Sequence, residues 1–311
     1  MTVEHKKYEE FTVYIDEDSN SFIHVDIDNP AVFYEKIFCH FFDETRLLRY
    51  IENKASVSFF PTAANYATLY RKLAVFLDAE NEVEFPSSLA KDALDAIADE
   101  YEVVEESGSK KIRLDKIGKI GEYILGTLLS DYFKFECVIP KLNLITDRNM
   151  NVYGIDSIYY SPQEKLILLG ESKVSKSLEN GIAMINSSLT SYQQQVDDEF
   201  IFVLNQRWLR DKMGHFGSDF ENQLEISLSM SDFVNKAQIE TVGIPVFIAH
   251  GGDNDVDEIF RKMKKIKRIS LYGLKTQYIS ISLPLIDKKT AMESFVKMLR
   301  ERREVYESAA R

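Results

Sequence analysis

Glu171-Ser172-Lys173 sets a carboxylate and an ammonium two residues apart after an apolar run, and a second carboxylate, Asp156, stands shortly before it in Gly154-Ile155-Asp156. Two carboxylates can share a hard divalent cation, Mg2+ or Mn2+, through oxygen ligands. An ammonium beside a cation-bound water can hold that water and stabilise negative charge developing on an attacked phosphorus. The triplet by itself says little, because Glu4-His5-Lys6 and Glu52-Asn53-Lys54 repeat its pattern. Its surroundings set it apart: it follows Leu166-Ile167-Leu168-Leu169-Gly170, and a strand-like segment carrying a carboxylate precedes it. The competing reading of Asp156, Glu171 and Lys173 is an ion pair across a sheet edge, which the apolar neighbours disfavour.

Alternate strand residues point to one side, so Glu171 and Lys173 share a face. Segments 151–160 and 165–174 read as strands joined by Ser161-Pro162-Gln163-Glu164, a good turn sequence. A hairpin centred on Gln163-Glu164 sets Asp156 opposite Glu171. One centred on Pro162-Gln163 sets it opposite Leu169, diagonal to Glu171. Neighbouring strands lie about 4.8 Å apart, so either register lets both carboxylates reach one ion. Upstream, 114–133 reads as a nearly all-apolar helix, which Glu122 interrupts between Gly121 and Gly126. A buried, unpaired charge is expensive. Glu122 therefore meets a cation or donor, or else reaches solvent or Lys119 one turn earlier. The glycines would let this helix approach the sheet closely. Segment 136–144 reads as a further strand, 177–195 as an amphipathic helix, and 199–204 (EFIFVL) as a strand buried on both faces. The expected order is α-β-β-β-α-β, with a helical crossover joining parallel strands.

This arrangement of helix glutamate Glu122, Gly154-x-Asp156 and Glu171-x-Lys173 followed by a helix resembles the restriction-endonuclease-like, or PD-(D/E)xK, nucleases over 114–204. The resemblance implies an α/β (α+β) fold, a mixed sheet flanked by helices. It implies Asp156, Glu171 and the Ser172 carbonyl as ligands of Mg2+ or Mn2+, Lys173 orienting the attacking water, and Glu122 beside them. Ile155 stands where that family carries proline. The Gly-Glu-Tyr, Gly-Ile-Asp and Gly-Glu-Ser-Lys segments, with the acidic N-terminal part, more narrowly resemble the HamA family, nuclease effectors of bacterial Hachiman anti-phage defence. Members of that family act with a helicase partner, HamB. The resemblance therefore implies DNA as substrate and a HamB-like helicase as partner. The alternative is a non-catalytic module that binds nucleic acid or a partner and keeps the nuclease fold.

Charge bears on that expectation. The chain has 311 residues and a net charge of −12. DNA affinity comes mainly from neutralising phosphates with Lys and Arg, so an acidic nuclease needs a local basic groove or a partner that delivers substrate. Residues 78–106 hold eleven acids against Lys91, and Lys110, Lys111, Arg113, Lys116 and Lys119 follow. Ser107-Gly108-Ser109, at this switch, reads as a linker or a tight turn. A boundary there divides a smaller N-terminal α+β domain, 1–107, from a nuclease domain, 108–311. In the first part, 14–27 reads as a hairpin and 30–53 and 62–77 as helices.

Other features have plainer readings. The polar face with Asn186, Ser187, Thr190, Gln193 and Gln194 reads as solvated rather than as a contact for the DNA backbone. The bases of 261–268 follow Asp253, Asp255, Asp257 and Glu258, an order that the helix dipole accounts for, with a phosphate patch for DNA or a partner contact as the alternative. His250-Gly251-Gly252-Asp253 reads as a strand-to-helix turn with an aspartate cap rather than a second metal site. His215 and Trp208 have no evident partner, and 287–310 reads as a charged amphipathic helix. Cys39 and Cys137 are expected to be buried, reduced thiols. No secretory signal, membrane-length apolar stretch, phosphate loop, CxxC or HExxH pattern occurs. A cytoplasmic protein without a small-molecule cofactor is therefore expected.

Overall fold

The computed structural model describes residues 3–16, 21–41, 62–64, 66–67, 83–84, 101–103, 110–113, 117–132, 137–140, 157–161, 164–204, 229–252, 255–285 and 288–311. Asp156, Trp208, His215, Asp253, residues 107–109, 42–53 and most of 62–77 lie outside them.

Eleven strands are described: β1 (Val3–Lys7), β2 (Phe11–Asp16), β3 (Ser21–Ile27), β4 (Val83–Glu84), β5 (Tyr101–Val103), β6 (Lys110–Arg113), β7 (Cys137–Pro140), β8 (Ser157–Ser161), β9 (Leu166–Val174), β10 (Thr241–His250) and β11 (Lys275–Pro284). Eight form one mixed sheet in the order β1-β2-β3-β11-β10-β9-β8-β7. The four central strands β3, β11, β10 and β9 are parallel, and antiparallel strands extend the sheet on both sides. This is the expected mixed sheet. It takes in β1–β3 from the first 27 residues as well as β7–β11 from residue 137 onward. The other three strands pair as β4-β6-β5, with β5 and β6 antiparallel on either side of 104–109.

Helices cover both faces. One face carries α1 (Pro30–Phe41), α2 (Ile117–Thr127, continued by a π-helical turn Leu128–Tyr132) and α7 (Lys288–Ala309). Phe33, Leu125, Leu168, Phe247, Ile281 and Phe295 fill the core there. The other face carries α3 (Leu178–Ser188), α4 (Tyr192–Leu204), α5 (Met230–Lys236) and α6 (Val256–Met263). Its core includes Leu169, Ile182, Ile248 and Phe260. The strands thus alternate between two cores, the pattern of a sheet buried on both sides.

Several expectations are corrected. Segment 199–204 is not a strand but the end of α4. Tyr192, Val196 and Phe200 are buried four residues apart, so one helical stripe continues through the apolar run. The helix expected over 177–195 divides at a 3-10 turn, Leu189–Ser191, into α3 and α4. The parallel strand reached by the crossover is β10, not 199–204. Cys39 is an exposed free thiol, since the buried face of α1 belongs to Phe33, Ile37 and Phe38.

Candidate active site

β9 carries the Glu171-x-Lys173 triplet where apolar burial would set it. Ile167 and Leu169 point into the core under α3 and α4, and Glu171 and Lys173 continue that side. Glu171 is 2 % exposed, Ser172 is buried and Lys173 is partly exposed. The Lys173 ammonium donates to Glu171 Oε1. On one side, β10 pairs with the triplet through Val246↔Glu171, Phe247↔Ser172 and Ile248↔Lys173. That ladder skips Ile244 and Pro245, a break that fits a proline without an N–H. On the other side, β8 pairs from Ser161↔Leu166 to Ser157↔Gly170. This is the register of a turn centred on Gln163-Glu164. Beyond Gly170, β9 has no β8 partner among the described residues.

The turn after β9 is fixed by its own polar atoms. Ser175 N–H donates to the Ala249 carbonyl (2.9 Å), and Ser175 Oγ donates to the Ser177 carbonyl (2.5 Å). Ser177 caps α3, its Oγ accepting from Asn180 N–H (3.2 Å), and Glu179 adds charge in the first turn. Gly181 lets α3 lie close: a Cβ there would meet the Ile248 side chain at 2.3 Å and Ser175 Oγ at 2.9 Å. At the start of α4, Tyr192 OH donates to the Leu169 carbonyl (2.9 Å), two residues before Glu171.

Glu122 has a different setting. A Cβ at Gly121 would meet Val174 Cγ2 at 2.6 Å and Ser172 Oγ at 3.9 Å. Those residues alternate with Glu171 and Lys173, so α2 covers the opposite face of β9. The close approach expected of the glycines holds at Gly121, whereas a Cβ at Gly126 would touch only Tyr159 OH, at 4.0 Å. Glu122 is half-buried on that helix. The structure therefore brings Glu171 and Lys173 together, sets Ser172 between them, and carries Glu122 on a helix of the other layer. No group of three or more His, Cys, Asp or Glu able to hold a metal ion forms among the described residues, which exclude Asp156. The buried Glu171 carboxylate is an oxygen donor of the kind a hard cation takes.

The same sheet face holds a second polar cluster that the sequence did not disclose. His250 Nδ1 lies 2.8 Å from the Gly251 carbonyl, which can only accept, so Nδ1 carries the hydrogen. His250 Nε2 then accepts from Ser282 Oγ (2.7 Å), and Ser282 Oγ accepts from His24 Nδ1 (3.2 Å). All three side chains are buried, on β10, β11 and β3. Burial, helped by neighbouring His250, pushes the His24 imidazole down to about 4. His250 thus holds a turn, and the cap of α6 is Asp255, which accepts from Asp257 N–H (3.1 Å) and Glu258 N–H (3.4 Å). The expected solvated face of α3 and α4 is exposed at Ser187, Thr190, Gln193 and Gln194, yet two of its five residues also hold loop backbone. Asn186 bonds to the backbone of Lys265 and Lys267, and Gln193 Oε1 accepts from Tyr272 N–H (3.1 Å).

Among the described residues no helix is long and apolar enough to cross a membrane. No curated protein matches the chain. The model of one family, described as HamA, matches residues 14–299, which takes in β3, the whole of β9 and most of α7.

Proposed function

The chain belongs to the HamA family, and on that premise we propose that it is a metal-dependent nuclease of the PD-(D/E)xK type, hydrolysing DNA phosphodiester bonds as the effector of a helicase-coupled Hachiman anti-phage defence complex. The observation that carries this reading is the ion pair of Glu171 and Lys173, its carboxylate 2 % exposed, at the carboxyl end of a central strand. Ligands in open α/β sheets bind at such strand ends. The β8–β9 register adds support, since of the two registers the sequence left open it is the one under which Asp156 was expected opposite Glu171.

In this reading Glu171, Asp156 and the Ser172 carbonyl would hold Mg2+ or Mn2+, which would supply Lewis acidity toward a phosphate oxygen and acidify water. Lys173 does the protein's own electrostatic work. Its ammonium donates hydrogen bonds to the attacking water and to the phosphoryl oxygens as they gain charge, in a setting drier than bulk water. β10, β8 and the Tyr192 hydroxyl fix the strand that carries both groups, so little reorganisation is needed as charge develops. Glu122 acts through its helix on the far side of β9. The net charge of −12 leaves few counterions to release, so a helicase partner that delivers DNA completes the reading.

Plasmid cleavage by the full chain, with and without the co-encoded helicase and ATP, tests this under Mg2+, Mn2+ or chelator. Cleavage should need the metal and be strongly stimulated by the helicase. Glu171→Ala should abolish it, and Lys173→Ala should slow it about 10²–10³-fold. Unchanged rates in both variants would overturn the active-site reading, whereas no cleavage by the full chain under either metal, with helicase and ATP present, would favour a binding module that retained the fold.

A further inference from the structure

Residues 261–268 carry six bases and no acid in a chain of net charge −12. A helix dipole does not account for all of them, because α6 ends at Met263. Arg261 and Lys262 lie in its last turn. Arg261 pairs with Glu258 (3.3 Å), and buried Lys262 pairs with Glu179 (2.8 Å) and Glu258 (3.1 Å). Lys264, the C-cap, reaches Asp16 at 3.6 Å. Lys265 and Lys267 lie past the helix, are exposed, and make no ion pair among the described residues.

Their backbone is unusually well held for a surface turn. Asn186 Nδ2 donates to the Lys265 carbonyl (3.1 Å), and Asn186 Oδ1 accepts from Lys267 N–H (2.7 Å). Between the two lysines, Ile266 is 7 % exposed and packs in the core under α3 and α6. Ile269 N–H donates to Tyr278 OH at 2.7 Å. Two ammonium groups thus project from a plugged and clamped turn, and their chain loses little backbone freedom when an anion binds.

The location gives the turn a use. It precedes β11, whose first residue, Lys275, is level with Thr241 of β10, while Lys173 is level with Ile248. That span of strand is ~23 Å at the usual rise per residue, which corresponds to about seven base pairs of duplex along its axis. The turn and the Glu171–Lys173 pair lie toward the same helical layer, at opposite ends of the parallel strands. We propose that Lys265 and Lys267 form a phosphate-backbone anchor for duplex DNA, engaging it away from the scissile phosphate. This deepens the nuclease reading and rests on it for the choice of polyanion.

The test uses the full chain carrying Glu171→Gln, in chelator, so that binding is read without cleavage. Duplex affinity is measured over a salt series for this parent, for Lys265→Glu/Lys267→Glu, and for a control, Lys297→Glu/Arg311→Glu, with the same charge change at two other exposed positions. Two lost phosphate contacts should lower the slope of log K against log salt by about 1.8 and weaken binding at least tenfold at low salt. The control should keep the parent slope, and Lys265→Arg/Lys267→Arg should restore it. Equal slopes in the reversed and parent chains would overturn the anchor, as would an equal loss in the control. Loss of helicase association with DNA binding unchanged would also overturn it, assigning the turn to a protein surface. Cleavage by the chain with native Glu171 is scored separately, so these results leave the nuclease reading standing or falling on its own.

Discussion

Two polar clusters lie on one face of the sheet, toward the carboxyl ends of its parallel strands, and they are built on opposite terms. His24, Ser282 and His250 are neutral, fully buried and joined by hydrogen bonds that end on the Gly251 carbonyl. Such a closed network keeps its desolvation cost small and ties three strand ends together. Glu171 and Lys173 are charged, and the carboxylate is nearly inaccessible. A buried ion pair recovers its desolvation cost poorly, and replacing one by apolar groups is often neutral or stabilising. One cluster therefore has a sufficient reason in stability. The other needs a reason in chemistry.

That contrast breaks most cleanly on paired substitutions. The double variant Glu171→Gln/Lys173→Met should lose cleavage by at least about 10²–10³-fold while its unfolding free energy in denaturant stays level or rises. Ser282→Ala should do the reverse. It strands two buried ring nitrogens at a cost of about 1–3 kcal/mol, with cleavage per folded molecule retained. If Ser282→Ala instead removed cleavage at unchanged stability, the histidine cluster would belong to the active site and the contrast would fail.

The charged cluster was legible in the sequence and the neutral one was not, for a physical reason. Glu171 and Lys173 share a strand, so period-two alternation and the apolar run before them place both on one face. His24 and Ser282 are 258 residues apart, and only the parallel pairing of β11 with β3 brings them together. Period also explains the missed α4. EFIFVL is aromatic and β-branched enough to suggest a strand, yet Tyr192, Val196 and Phe200 already carried a helical stripe into it. Reading that stripe across 189–191 would have found the helix. The docking role of Asn186 is not legible in the sequence, because a polar residue on a helix face says nothing of the loop that packs there, here the backbone of Lys265 and Lys267.

Proton linkage sharpens the comparison on the neutral side. His24 is held near 4 in the folded chain, against 6.5 for a free imidazole, by burial and by His250. The unfolded chain therefore binds the extra proton first as pH falls. Its contribution to stability is complete above about 6.5 and is lost progressively toward about 4. Tyr14 stacks on the ring from β2. Denaturant midpoints taken across that window should fall with acid, and His24→Phe should flatten the fall. An unchanged slope in His24→Phe would show that the imidazole is not the group responsible.

The smallest expected effect tests how the charged cluster is held. Tyr192 OH donates to the Leu169 carbonyl at 2.9 Å, and its ring is 1 % exposed in the core between α4 and β9. Tyr192→Phe keeps the ring and its packing, so no cavity opens, and removes only the donor. A net cost of about 0.5–1.5 kcal/mol in unfolding free energy is expected. Leu169 stays paired to Ile158 in the β8 ladder, and β10 grips β9 from Val246↔Glu171 onward. Glu171 and Lys173 should therefore keep their places, and cleavage per folded molecule should change by less than about threefold, a barrier change under about 0.7 kcal/mol. A tenfold loss of cleavage with stability altered by less than 1 kcal/mol would show instead that the ladders do not suffice. The hydroxyl would then be a positioning group for the charged pair, whose geometry would depend on the helical layer as well as on the sheet.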